Sequence, residues 1–380
     1  MKNPDKTGGQ ESSKDKQAFP KASTAKFDGT TASRMAKARK ILQQHFGYPD
    51  FRPGQDALIE QLLSGRDCLG VMPTGAGKSL CYQVPALIYE GLTIVISPLI
   101  SLMKDQVDAL RSNGIAADCL NSSLSPAQRS AVLRRVAQGR CRILYVAPER
   151  LRVSEFVRAL AQIKVALVAV DEAHCISQWG HDFRPSYHAI PQFIDGLNPR
   201  PAVGAYTATA TQRVRSDIEQ LLQLRDPFVL VTGFDRANLH FAVKRPHDKT
   251  ATLLSFIREQ NQTSGIVYCS TRRTVEELCG ELADAGLAVT RYHAGLSEEE
   301  RRVSQDDFLY DRRIIMVATN AFGMGIDKSN VGYVVHYNMP QNLESYYQEA
   351  GRAGRDGSPA TCLLLYEPAD VQTNTFLITH

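Results

Sequence analysis

Lys78 and Ser79 close a run of small residues, Met72-Pro73-Thr74-Gly75-Ala76-Gly77-Lys78-Ser79, that follows an apolar run and precedes a stretch of helical pattern. Small residues let backbone N–H groups close around phosphate oxygens at a helix N-terminus. In such a loop Thr74, Gly75, Ala76 and Gly77 form the cradle. Lys78 neutralises the outer phosphates, and the Ser79 hydroxyl ligates magnesium. The strict pattern G-x-x-x-x-G-K-[ST] would place glycine at Met72, so this loop is a variant. Taken alone, it also reads as an ordinary Gly-rich turn.

Asp171-Glu172-Ala173-His174 follows the apolar run 165–170 directly, so its carboxylates emerge at the C-terminal end of a strand. Asp171 is then placed to hold magnesium through water, and Glu172 to polarise an attacking water. Helix N-terminal charges or ion pairs are the plainer reading of the two acids by themselves. Downstream, Gln348-Glu349-Ala350-Gly351-Arg352-Ala353-Gly354-Arg355-Asp356-Gly357 keeps two arginines among glycines. Arg352 and Arg355 suit contacts to a γ-phosphate across an interface, because phosphoryl transfer is accelerated by cations placed on developing charge. A solvated basic turn is the alternative.

These groups need a scaffold that brings them together. The chain has 380 residues, 43% hydrophobic and 22% charged, which suits two domains with proper cores. The net charge of +4 permits a polyanionic partner without predicting one. The eight cysteines contain no C-x-x-C pair and no Cys/His spacing of a zinc site, so reduced thiols and no zinc are expected. No apolar leader or membrane-length run is present, and no membrane partner is expected.

Residues 1–33 are rich in Lys, Ser, Thr and Gly and read as a disordered tail. From there β-rich runs alternate with helical stretches, the pattern of parallel α/β units. Strands are expected at 68–72, 93–97, 143–147, 165–170 and 203–206. A second set is expected at 265–269, 289–292, 314–318, 333–337 and 361–366. The fold class is therefore α/β, with two tandem parallel-sheet domains over 34–232 and 233–380 and ligands in the cleft at the strand C-termini.

The combination resembles superfamily 2 helicases, and more closely the RecQ family of DNA helicases, whose domains are RecA-like. The likeness runs from about Ala38 to Tyr366. Its most selective element is Phe46-Gly47-Tyr48 with Phe51-Arg52-Pro53-Gly54-Gln55, similar to the family's adenine-recognition motif. The resemblance implies that Tyr48 and Arg52 flank the base and Gln55 hydrogen-bonds its edge, hence ATP with Mg2+ as cofactor. It also implies catalytic roles for His174 and Gln348.

Further stations occur in family order. Ser97-Pro98-Leu99-Ile100-Ser101-Leu102-Met103-Lys104-Asp105-Gln106 and Ala147-Pro148-Glu149-Arg150 resemble motifs Ia and Ib. Thr207-Ala208-Thr209-Ala210 resembles motif III, and Tyr268-Cys269-Ser270-Thr271 motif IV. The next blocks match Tyr292-His293-Ala294-Gly295-Leu296 and the segment from Ala318 to Asp327. Cys175 to Pro185 is similar to the family's aromatic-rich loop, where bases would stack on Trp179 or Phe183; packing of both rings in the core is the alternative, as it is for His181. Nucleic-acid contacts are thus expected from Ser101, Lys104, Gln106, Trp179, Phe183, Arg184, Thr271 and His293.

The likeness implies ATP-driven 3′-to-5′ movement on single-stranded DNA and unwinding of forked duplex in repair or recombination, with repair or single-strand-binding partners. The location would be the cytoplasm, associated with the nucleoid, in a bacterium or the nucleus in a eukaryote. Two departures are Ala237, where the family usually has proline, and Tyr206, where a smaller aliphatic residue is common. Full RecQ proteins usually continue into a four-cysteine zinc region and a winged helix, so the sequence looks like the catalytic core. A DNA-stimulated ATPase or a DNA-binding protein without autonomous unwinding stays open, and an RNA helicase of the DEAD/DEAH kind less so.

Overall fold

The computed structural model describes residues 29–180, 182–233, 235–322 and 328–379. The expected tail over 1–28, His181, Phe234 and the 323–327 part of the last block lie outside them. The tail reading needs correction at its end, because α1 (Gly29–Phe46) begins inside it. The first turn is polar, but Met35, Ala38, Ile41 and Leu42 form a stripe that packs on the next helices and anchors the whole element.

In the first half, α1 is followed by α2 (Gln55–Leu63), β1 (Cys68–Val71), α3 (Leu80–Ile88), β2 (Leu92–Ile96), α4 (Ile100–Ser112), β3 (Ala117–Leu120) and α5 (Pro126–Ala137). Then come β4 (Ile143–Val146), α6 (Ser154–Leu160), β5 (Val165–Val170), α7 (Ile190–Asp195), β6 (Ala202–Thr207), α8 (Gln212–Leu221) and β7 (Phe228–Val231). These strands form one sheet in the order β3-β4-β2-β5-β6-β1-β7.

The second half runs β8 (Leu239–Lys244), α9 (Lys249–Glu259), β9 (Gly265–Tyr268), α10 (Arg272–Asp284), β10 (Val289–Tyr292), α11 (Glu298–Leu309) and β11 (Ile315–Ala318). It ends with β12 (Tyr333–His336), α12 (Leu343–Ala350), β13 (Ala360–Leu365) and α13 (Pro368–Thr379). Its sheet has the order β10-β11-β9-β12-β13-β8. Every strand pairing in both sheets is parallel.

Parallel strands covered on both faces read as unbroken apolar runs, and Leu-Thr-Ile-Val-Ile of β2 and Val-Ala-Leu-Val-Ala-Val of β5 do so. One face of the first sheet packs on α5 to α8 through Val132, Phe156, Ile190 and Ile218. The other packs on α2 to α4 through Leu58, Tyr82 and Val107. Helix starts are set by side-chain caps: Ser125 with Gln128 and Ser297 with Glu300 form reciprocal capping boxes, while Thr211, Asp248 and Asn342 accept from the first turn of their helices.

All ten expected strands are present within a residue or so of their expected ends. Three were not foreseen: β3, β7 and β8, each at a sheet edge. Tyr206, a departure from the family pattern, is wholly buried and tilts against Tyr82 at 5.5 Å between ring centres.

Candidate nucleotide site and nucleic-acid surface

The phosphate loop springs from β1, which lies between β6 and β7 in the sheet, and runs straight into α3. Gly77 has φ +77°, and a Cβ there would stand 2.5 Å from Gln55 Nε2, so only glycine lets the loop meet that amide. Gln55 Nε2 donates to the Ala76 and Gly77 carbonyls at 2.9 and 3.0 Å, while its Oε1 accepts from the Arg52 amide at 2.9 Å. The amide expected to read a base edge thus also braces the cradle, and Gln55 lines the cleft. Arg52 donates to the Gly75 carbonyl from the same side. Tyr48 is 47% exposed and stands at the cleft rim.

Lys78 Nζ donates to the Met72 carbonyl at 3.1 Å and lies 3.5 Å from that of Pro73. Burial pulls its pKa down, and the Glu172 and Asp171 carboxylates act against that. Asp171 directly follows β5, its amide bonded to the Ile96 carbonyl of the neighbouring strand at 2.8 Å. Burial and the adjacent Glu172 carboxylate raise the Asp171 pKa to about 7, with Lys78 opposing. Glu172 is held at φ 47°, the left-handed region, which costs a non-glycine residue about 1–3 kcal/mol and marks a position fixed by its surroundings. Its Oε2 lies 3.4 Å from His174 Nδ1.

His174 is buried, and Nδ1 is also 2.8 Å from Thr207 Oγ1, which itself donates to the Thr209 carbonyl at 3.1 Å. With its proton so used, the Thr207 oxygen must accept, which assigns the His174 proton to Nδ1. One ring, bonded to Thr207, thus lies between the acid pair and the Thr207–Ala210 segment.

From the second half, α12 leads into the turn carrying Arg352 and Arg355. Gln348, Arg352 and Arg355 line the same cleft as Thr74, Gly75, Gly77, Lys78, Ser79, Asp171 and Glu172, a cavity of about 490 Å³. The two walls touch: a Cβ on Gly351 would be 3.3 Å from Thr74 Cβ, so glycine permits the close approach. Arg352 is buried, and its Nε has no hydrogen-bond partner among the described residues. An unspent buried donor, two further cations, a hydroxyl and two carboxylates facing one space form the donor set for a polyphosphate with a hard divalent ion. Ser79 and Asp171 are the residues fit to hold that ion. Ala76 stands apart: its amide bonds the Pro73 carbonyl and its methyl packs on the core.

The expected nucleic-acid residues divide. Ser101 and Lys104 are exposed on α4. Trp179 is 62% exposed, and the Arg213 guanidinium of α8 lies over its ring at 3.5 Å. The loop root is bonded to the same helix by Ser177 Oγ donating to Asp217 at 2.6 Å. Trp179 is thus outside the core, while Phe183 is half-buried against His188.

Three expectations need correction. Gln106 lines the nucleotide cleft and accepts from Gln83 at 2.8 Å, because its position on α4 turns it inward from Ser101 and Lys104. Arg184 is paired with Asp182 and donates to the Pro98 carbonyl at 3.0 Å, so it ties the aromatic loop to the segment before α4. His293 is buried, with Nε2 2.7 Å from Glu276 and Nδ1 accepting from the Gly295 amide at 3.2 Å, leaving neither nitrogen for a phosphate. Thr271 is exposed, and its hydroxyl also caps α10 by accepting from the Thr274 amide, which does not conflict with a nucleic-acid contact. Sequence reading missed Arg213 and Arg236. A basic residue in the first turn after Thr211 was a signal for the former; the latter stands beside Ala237, noted in the sequence only as a departure from the family pattern.

Two parallel α/β units with a cation–carboxylate cleft between them are the architecture of a RecA-like helicase core. Dbp5 of Saccharomyces cerevisiae bound to RNA and ADP BeF3 shares this fold, with a TM-score of 0.70 at 19% identity over 91% of this chain and 92% of that one. Residues 52–218 match the DEAD/DEAH box helicase family and residues 248–357 the helicase conserved C-terminal domain. The chain is 47% identical over 343 residues to ATP-dependent DNA helicase RecQ of Bacillus subtilis (strain 168), covering 90% of this chain and 58% of that protein. It is 40% identical over 348 residues to "Probable ATP-dependent DNA helicase RecS" of the same organism, covering 90% and 70%. The chain belongs to the RecQ family of ATP-dependent DNA helicases. It spans a little over half the length of its RecQ relatives.

Proposed function

We propose that the chain hydrolyses Mg-ATP in the cleft between its two sheets and uses the cycle to move 3′-to-5′ along single-stranded DNA and open forked duplex. The observation that carries this is the convergence of Lys78, Asp171 and Glu172 from one sheet with Arg352 and Arg355 from the other on a single cavity. Lys78 binds the outer phosphates, and Arg352 and Arg355 stabilise charge developing on the transferred group. Glu172, whose buried Oε2 has no hydrogen-bond partner among the described residues, orients the attacking water and accepts its proton. Magnesium, when bound by Ser79 and Asp171, supplies Lewis acidity at the phosphates.

Both arginines come from the opposite half, so turnover requires the cleft to close and product release opens it. Lys104, Ser101 and Trp179 supply a grip of backbone contacts and base stacking, which is salt-sensitive and indifferent to sequence. The membership in a DNA-helicase family favours DNA over RNA.

The test is the magnesium-dependent ATPase rate with no nucleic acid, with single-stranded DNA and with single-stranded RNA, beside unwinding of a forked duplex. DNA stimulation with unwinding supports the whole reading. DNA stimulation without unwinding reduces it to a DNA-driven ATPase motor. Equal or greater stimulation by RNA, or none by either, refutes the DNA assignment.

A further inference from the structure

Arg236 lies in the connector between β7 and β8, outside every stretch that the sequence marks for chemistry, yet it touches both walls of the nucleotide cleft. Its Nη1 donates to the Gly351 carbonyl at 2.9 Å and approaches the Thr74 carbonyl at 3.5 Å. Its Nη2 donates to the Gly354 carbonyl. Asn238, two residues on, donates to the Gly354 and Ser358 carbonyls at 2.9 Å each. A Cβ placed on Gly75 would be 3.5 Å from Arg236 Nη1 and 3.6 Å from Arg355 Cγ, so the guanidinium stands beside the Arg355 side chain at the phosphate loop.

The pattern differs from a surface ion pair. Arg236 gives its donors mainly to backbone carbonyls, two in the arginine-bearing turn and one in the phosphate loop, with Asn238 Oδ1 a further acceptor at 3.5 Å. A guanidinium presents several donors in a rigid planar fork, which fixes the orientation of the carbonyls it engages. The turn it engages has a glycine at Gly351 and another at Gly354 with φ +57°, so its own backbone is soft and needs an external brace.

We propose that Arg236 is a positioning residue for phosphoryl transfer, holding the turn that bears Arg352 and Arg355 at a fixed height over the phosphate loop; this rests on the ATP-hydrolysing reading above. A displacement of about 1 Å in a reacting group costs about 10²-fold in rate. Removing the fork therefore lowers turnover and leaves the ground-state phosphate contacts of Lys78 in place.

Two measurements on the full chain test this, one independent of catalysis. In steady-state ATPase assays with single-stranded DNA, Arg236→Ala should lower kcat by about 10- to 100-fold with KM within about threefold, and Arg236→Lys should recover only part of the loss. Unchanged kcat, a pure KM effect, or full activity in Arg236→Lys would overturn the proposal. In amide hydrogen exchange without nucleotide, Arg236→Ala should speed exchange across 351–357 while β9 and β12 stay as slow as in the wild type, which also shows that the variant is folded. Unaltered exchange in that turn would overturn the proposal whether or not the protein hydrolyses ATP. A wild-type chain without turnover would instead refute the hydrolysis reading, leaving exchange to decide the role of Arg236.

Discussion

His174 Nδ1 lies 2.8 Å from the Thr207 hydroxyl, and Glu172 Oε2 lies 3.4 Å from that same nitrogen. A buried imidazole bonded to the last residue of β6 therefore stands against the acid pair that follows β5. Thr207→Val keeps the shape but removes the oxygen, leaving the Nδ1 proton without its acceptor. DNA-stimulated turnover should fall by about tenfold or more, with nucleotide affinity little changed. Equal DNA stimulation in variant and wild type would remove this link from the coupling path.

Lys78→Ala should abolish measurable ATP turnover, since the buried cation is the main phosphate contact on its side of the cleft. Arg355→Ala should lower kcat by about 10²-fold or more while KM for ATP moves within about threefold, because an arginine reaching across an interface acts mostly in the transition state. Steady-state kinetics on both variants checks this; normal hydrolysis in either would undo the site assignment.

Trp179 is the chain's sole tryptophan, so its fluorescence reports the aromatic loop without interference. Adding a single-stranded oligonucleotide should change that emission, and Trp179→Ala should weaken binding by about 1–3 kcal/mol, the worth of one stacked base. Arg213→Ala uncovers the ring face and should alter the emission before any DNA is added. A steady signal through a full oligonucleotide titration would place base stacking elsewhere.

Asp171 carries a stability cost in the metal-free protein. Its folded pKa, about 7, is above its ordinary value of 3.8, so its contribution to stability is fully present below the unfolded pKa and is lost as pH rises through the folded one. Asp171→Asn should therefore raise the melting temperature in EDTA by at least ~2 °C at pH 8, with the gain shrinking towards pH 4. Thermal melts at the two pH values decide it, and a gain that is flat across pH would point to a packing effect instead.

The parts of the fold that the sequence made legible are those with continuous burial. β1, β2, β4 and β5 are apolar along their length because helices cover both faces. The missed β3, β7 and β8 are edge strands. Asp118 of β3, held by Arg111 and Arg135, interrupts its apolar run, while Val229, Val231, Phe241 and Val243 are exposed, so the short Phe-Val-Leu-Val run of β7 and the apolar residues of β8 do not mark a buried strand. At the site, the phosphate loop, the acid pair and the arginine turn could be read because their residue types are fixed by chemistry. Gln106 and His293 were misplaced because a motif gives the order of residues along the chain, not the helix face or burial of each one. Arg236 was invisible for a different reason: a connector has no periodicity, and its contacts are with carbonyls that any sequence would supply.

β8 pairs with β13 alone, residue for residue from Leu239↔Ala360 to Lys244↔Leu365. On a ribosome, the first strand of the second sheet would emerge early and wait, unpaired, until nearly the whole domain had been made. Arg236 and Asn238 sit just ahead of that strand, and the carbonyls they hold lie just ahead of β13. The brace on the arginine turn and the sheet's last pairing would therefore form together, so that a nascent chain gains its opposite-wall cations only when its own folding is closing.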